Sequence, residues 1–218
     1  MSAPEAPRGK GHRSRGQSLV EFSLIVPLFL LILFGMMEYG FIFTHDLTLE
    51  YATREGARAG AALSNGGGTL GCGTGQSPNW TEVDPEIIAA VERVLTSPGS
   101  PVVVSNVSQI VIYDADPSTG ANDQSKQNVW TYSAGAGPIP TGATNHLNFV
   151  DASYPNSDQW EACARSNADP TIQSIGVSLT YTYAFETPLG AILQFFHGGM
   201  ASLTITDQTV MQLNPAET

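Results

Sequence analysis

An α+β architecture follows from three features of this 218-residue chain. Residues 22–37 are an apolar run without a charge, five residues behind a basic leader that ends at Gly16. Residues 84–95 carry helix punctuation, with Asp84-Pro85 at the start and Ser97-Pro98-Gly99 beyond the end. Ile175, Val177, Leu179, Tyr181, Tyr183 and Phe185 alternate with small or polar residues, the period-two pattern of a half-buried strand. The expected molecule is a long N-terminal transmembrane helix continuing into a domain with a mostly antiparallel β-sheet.

Charge orients the helix. Residues 1–16 carry Arg8, Lys10, Arg13 and Arg15 against Glu5, whereas the remainder holds five cations against nineteen acids. A basic flank before an apolar run places the N-terminus in the cytoplasm and the rest outside. The net charge of −11 argues against nucleic acid as a partner. The run is as long as a secretory signal core allows, and no small-x-small cleavage site follows it closely, so it is read as a retained anchor. Counted on to Phe43 it is long enough to span a bilayer. The expected units are a basic leader, 1–16, a transmembrane and spine helix, 17–63, and an extracytoplasmic α+β domain, 64–218.

Glu21 opens the apolar run, and a carboxylate in hydrocarbon costs several kcal/mol unless paired or protonated. It has two readings. In one, Glu21 sits at the headgroup level and reaches water. In the other, cleavage after Gly16 turns Gln17 into a free α-amine one helical turn away, and the amine of one subunit meets the carboxylate of the next. Geometry would then set the register between helices. The segment Gly16-x-x-x-x-Glu21-Phe22 ahead of an apolar helix resembles the class III signal of type IV pilins, in the Tad/Flp branch. With "ATREGARAGA" at residues 52–61, it is similar to TadE-like pseudopilins. The resemblance implies a pilin-like architecture and cleavage by a prepilin peptidase. It also implies partners among other pilins and the Tad assembly platform.

The helix is expected to run to about Leu63, roughly 65–70 Å at about 1.5 Å per residue. Pro27 would bend it harmlessly or make a local unwinding point useful in bundle packing. Tyr39, Phe43, Leu47 and Tyr51 recur every four residues as an apolar stripe, and the half of the helix beyond the membrane is expected to present a packing face to the exported domain. Glu50 with Arg54, and Glu55 with Arg58, are favourable helix pairs. Small residues from Gly56 to Ala62 allow another surface to approach closely, and Asn65-Gly66-Gly67-Gly68 stops the helix. The glycine-rich stretch 66–75 lacks the Gly-Lys-Ser/Thr ending of a phosphate loop. In the next helix Asp84 is the expected N-cap, and Ile87, Ile88, Val91, Val94 and Leu95 form the buried face.

Residues 102–104 and 107–113 read as β, with 128–133 pairing as a hairpin; 134–170 reads as irregular. The late strand 175–185 and the segment 203–213 form a second hairpin across an apolar connection, 187–199. Leu189, Ile192, Leu193, Phe195 and Phe196 either tuck under the sheet or face a partner or membrane. This end, with "TPL" at 187–189 and "TVMQL" at 209–213, also resembles TadE-like proteins. Those more often carry arginine where Gln212 follows Met211.

His12, His45, His146 and His197 lack metal-ligand spacing, and no nucleophile-base arrangement is evident, so neither enzyme activity nor a cofactor is expected. Asp114, Asp116 and Asp123 around Gly120 resemble a calcium loop without its closing glutamate, and an acidic hairpin tip is the favoured reading. Cys72 and Cys163, an even pair outside the cell, point to a disulfide. The resemblance implies a structural minor pilin or pseudopilin that helps assemble a Tad/Flp-type pilus or related secretion apparatus, since major Flp pilins are much shorter. It would be single-pass in the bacterial cytoplasmic membrane, with incorporation into a pilus as the further expectation. Two alternatives stay open: an uncleaved, membrane-anchored assembly factor, and a surface ligand- or calcium-binding module.

Overall fold

The structure, a computed structural model, describes residues 15–63, 80–153, 160–197 and 202–214. Among the described residues three α-helices and five strands follow in chain order: α1 (Arg15–Ala62), α2 (Trp80–Leu95), β1 (Val107–Ala115), β2 (Asn122–Tyr132), β3 (Phe149–Val150), β4 (Ser174–Ala184), α3 (Leu189–His197) and β5 (Ser202–Gln212). The strands form one sheet in the order β3-β2-β1-β4-β5, every pair antiparallel. The class is α+β, as the sequence predicts.

The odd residues of β4 point into the core, where Ile175, Val177 and Leu179 are fully buried beside Tyr181 and Tyr183. They meet Ile87, Ile88, Val91 and Leu95 of α2 and Leu49, Ala52, Ala57 and Ala61 of α1. The small residues of α1 admit this packing. A Cβ on Gly56 would stand 2.6 Å from Val91 Cγ2, and one on Gly60 would stand 2.6 Å from Ile175 Cδ1. On the opposite face of the sheet the Tyr113 ring lies over Gly176, where a Cβ would come within 2.2 Å of the ring.

These contacts fix directions. As α1 rises from Glu38 to Gly60, β4 descends beside it: Ile175 meets Gly60, Val177 meets Gly56, and Tyr183 bonds Glu38. The β4–β5 connection therefore lies at the end near Glu38. The β1–β2 turn lies at the opposite end, because Ala115 pairs with Ser174.

Several sequence expectations change. Residues 102–104 form no strand; they lead into a short 3-10 turn, Val104–Asn106. The apolar connection contains a helix, α3, where the sequence reading gives only an apolar connection between two strands. Asp84 is not an N-cap. Helix α2 starts at Trp80, which puts Asp84 and Pro85 a turn inside it, and the Asp84 carboxylate serves a buried guanidinium instead.

The stripe of Tyr39, Phe43, Leu47 and Tyr51 also faces away from the domain, with exposures of 70, 50, 36 and 63%. The face that packs on the domain carries Glu38, His45, Leu49, Ala52, Thr53, Gly56 and Ala57. Its polar and small residues concealed it, because an apolar count finds bulk rather than fit.

Candidate functional site

Helix α1 divides at Glu38. From Gly16 to Met37 no side chain is buried, and the apolar window in this helix has mean hydropathy 2.5 with none of it covered. Residues 16–37 extend roughly 33 Å at about 1.5 Å per residue, close to the about 30 Å thickness of a bilayer's hydrocarbon. Length and composition suggest membrane anchoring. The segment ends earlier than Phe43, because Glu38 is 1% exposed and Phe41 and Ile42 already pack on the domain core.

Near its start, Gln17 Nε2 donates to Glu21 Oε1 at 3.1 Å, so residues 17 and 21 share one face of the helix. Gly16 is exposed, and nothing lies within 4 Å of where its Cβ would be. Pro27 sits inside the continuous helix, where its missing N–H leaves the Ser23 carbonyl without its helical donor.

At the other end of the bare segment, Glu38 gathers four donors from the end of β4 and the start of the β4–β5 connection. The Tyr183 hydroxyl and the Glu186 N–H, the latter at 3.0 Å, donate to Oε1; the Thr187 N–H at 2.9 Å and the Thr187 hydroxyl donate to Oε2. A carboxylate so surrounded holds both a strand end and the following turn. His45, two turns further along α1, is buried, takes its place against the Phe41 carbonyl at 2.9 Å through Nδ1, stacks on the Tyr181 ring and meets the Tyr183 ring edge-on. The sequence reading passed over Glu38 because its partners are about 145–149 residues away.

The far end is built around Asp84. Arg165 is fully buried and pairs bidentately with it, Nη2 to Oδ2 at 2.8 Å, and its guanidinium lies 4.5 Å from the centre of the Trp160 ring. Asn128 Nδ2 donates to Asp84 at 2.7 Å and to the Trp160 carbonyl at 3.0 Å. Cys163 lies on the neighbouring turn, Ala162–Ala164. Cys72, the rest of the glycine-rich loop and the leader through residue 14 lie outside the described residues, as does the expected Cys72–Cys163 pairing.

The three candidate calcium ligands are engaged by groups of the protein itself, and Lys126 stands between two of them, 2.8 Å from Asp114 Oδ2 and 4.0 Å from Asp123 Oδ2. Asp116 Oδ1 accepts from Ser118 N and Thr119 N, both at 2.8 Å, and from the Ser118 hydroxyl, which holds its pKa down at about 2. Asp123 accepts from the Ser125 hydroxyl and N–H, which lower its pKa. Asp114 takes Lys126 Nζ at 2.8 Å and Gln173 Nε2 at 2.7 Å. They line an open cleft of about 400 Å³ with Ile172 and Ser174. Among the described residues no three His, Cys, Asp or Glu side chains are grouped to hold a metal.

No curated protein and no solved structure matches this chain. The family model of TadE-like proteins matches residues 16–58, which are the bare anchor, the Glu38 junction and the spine up to Arg58. The likeness read at the C-terminal end lies beyond that match. Residues 16–58 are thus similar to TadE-like proteins, which is consistent with a TadE-like protein of the Tad pilus system.

Proposed function

We propose that this protein is a structural minor pilin or pseudopilin of a Tad-type pilus or a related secretion apparatus. One observation carries the reading: a TadE-like helix stands bare over residues 16–37 and then serves as the spine of its own domain. In this reading α1 is a single-pass anchor in the cytoplasmic membrane, with the basic leader inside and the domain outside. A prepilin peptidase cuts between Gly16 and Gln17. The new α-amine of one subunit then meets Glu21 of its neighbour, at a cost in hydrocarbon that only the pairing offsets. The stripe of Tyr39, Phe43, Leu47 and Tyr51 continues the bare surface upward and offers neighbouring subunits and the assembly platform a place to pack. A disulfide from Cys72 to Cys163 belongs to the same exported state.

A second reading, an uncleaved anchored assembly factor, is favoured by the Gln17–Glu21 hydrogen bond, which gives Glu21 a partner within its own chain. Intact mass and N-terminal sequencing of the protein from membranes, without reduction, separate the two. The first reading expects a chain beginning at Gln17 and two hydrogens lighter than its reduced form. A mature chain still beginning near Met1, beside an active peptidase, rejects the processed class. Alkylation of both thiols in the unreduced protein rejects the disulfide.

A further inference from the structure

Helix α3 is held at the level where the bare part of α1 ends. It begins two residues after Thr187, whose N–H and hydroxyl both bind Glu38, and Glu38 is the first buried residue beyond the segment 16–37. A bilayer around residues 16–37 therefore has its outer surface beside α3. The orientation of α3 is also set. Gly190 is pressed on Phe185, where a Cβ would come within 2.6 Å of the Phe185 Cβ. Phe195 lies about 140° around the helix from Gly190 at about 100° per residue, and it is 85% exposed.

Composition fits the same surface. Residues 189–197 contain no Asp, Glu, Lys or Arg, although the chain beyond residue 16 holds nineteen acids. Leu189, Ile192 and Leu193 are half-buried, and Ala191 is exposed beside Phe195. Nine residues reach only about 14 Å, too short to span, and suit a helix lying in the headgroup region with its apolar side toward the acyl chains.

We propose that α3 is a second membrane contact, an interfacial helix whose Phe195 face enters the outer leaflet of the bilayer that α1 crosses. One helix alone leaves the domain free to swivel about its axis. A second contact, rigidly joined to the first through Glu38, fixes which side of the domain faces the lipid and which way the Tyr39–Tyr51 stripe looks. The occupant is lipid rather than another protein because α1 itself brings the bilayer there, whatever subunits are present. The inference rests on the proposed anchoring of α1.

The test uses the full chain in phosphatidylcholine liposomes, with and without doxyl groups on the acyl chains. Phe195→Trp and Ala191→Trp place an indole on the α3 face; Pro117→Trp places one on the exposed β1–β2 turn at the opposite end. After subtraction of the parent's emission, the α3 indoles are expected to be blue-shifted and to lose intensity in doxyl lipid, and the Pro117→Trp indole is not. Liposome-bound protein whose α3 indoles are unquenched overturns the proposal. A blue shift without quenching also overturns it, by placing α3 against protein. Protein that fails to float with liposomes overturns the anchor reading as well, so the two failures are distinguishable.

Discussion

Glu38 and Asp84 are both carboxylates about 1% exposed, and both sit on helices that pack against the same sheet. Glu38, at the anchor end, receives two hydroxyls and two backbone N–H groups and no cation. Asp84, at the far end, faces a fully buried guanidinium and an asparagine. The difference separates two tasks. A buried ion pair couples both groups to folding, because losing one strands the other in a low dielectric. Neutral donors fixed on a turn set direction: they hold the β4–β5 connection against one level of α1. The far end holds the domain together, whereas the near end sets how the domain sits on its stem.

The largest expected effect breaks the far end. Arg165→Leu leaves the Asp84 carboxylate buried and unpaired, so we expect the full chain in detergent to lose about 3–5 kcal/mol in urea unfolding. Adding Asp84→Leu removes the stranded charge and is expected to restore much of that loss. A single variant as stable as the parent would mean Asp84 and Arg165 do no more than a surface pair.

Glu38→Ala probes the near end. It leaves two backbone N–H groups and two hydroxyls without an acceptor, and we expect a cost on the order of 3 kcal/mol. The loss should be local. Hydrogen exchange at the amides of Glu186, Thr187 and Leu189 is expected to rise sharply, while the amides of β1 and β2 keep their protection. Loss of protection throughout the sheet would erase the distinction between the two ends.

A smaller effect on stability, with a larger one on assembly, is expected for Tyr39→Ser with Phe43→Ser. Both side chains are at least half exposed, so unfolding should shift by no more than about 0.5 kcal/mol for each. Incorporation into the pilus or its assembly complex is expected to fall. Normal incorporation at parental expression would show that the outward stripe is not an assembly surface.

The sequence carried the long helix, the body of α2, most of β1, β4 and β5 and the second half of β2, because local composition and, in β4, a strict period of two mark them. The Glu50–Arg54 and Glu55–Arg58 pairs were legible for the same reason and are present, though exposed. Residues 122–127 of β2 are polar and carry no such mark. Neither end of the domain could be read. Glu38 to Thr187 and Asp84 to Arg165 are 149 and 81 positions apart, and no local pattern marks either pair. Asp84-Pro85 was misleading because its local capping signal is genuine in type. A distant guanidinium took the carboxylate, and the helix keeps Pro85 inside it at the cost of the bond that the Thr81 carbonyl would otherwise accept. The short β3 went unseen in a segment rich in glycine and proline; its two residues pair with Thr131 and Tyr132.

The smallest effect concerns pH, and it opposes two carboxylates of the same domain. Glu92, on α2, is 8% exposed and accepts from Asn148 N at 2.6 Å and Asn148 Nδ2 at 3.2 Å. Burial outweighs those bonds and raises its pKa, whereas Asp116 on the exposed turn is held at about 2 by its own turn. A carboxyl with a raised folded pKa binds its proton more tightly when folded. Its favourable contribution is full below the ordinary carboxylate range and falls away as pH rises through the raised value. Asp116 runs the other way: its contribution is full above the ordinary range and disappears as pH falls toward 2. Glu92→Gln keeps an oxygen for the Asn148 N–H and removes the titration. The urea midpoint of the parent, taken relative to that of Glu92→Gln, is therefore expected to fall as pH rises from acid to neutral. Parallel profiles would mean that burial does not raise Glu92, and that the loop at Asn148 is held by an ordinary surface carboxylate.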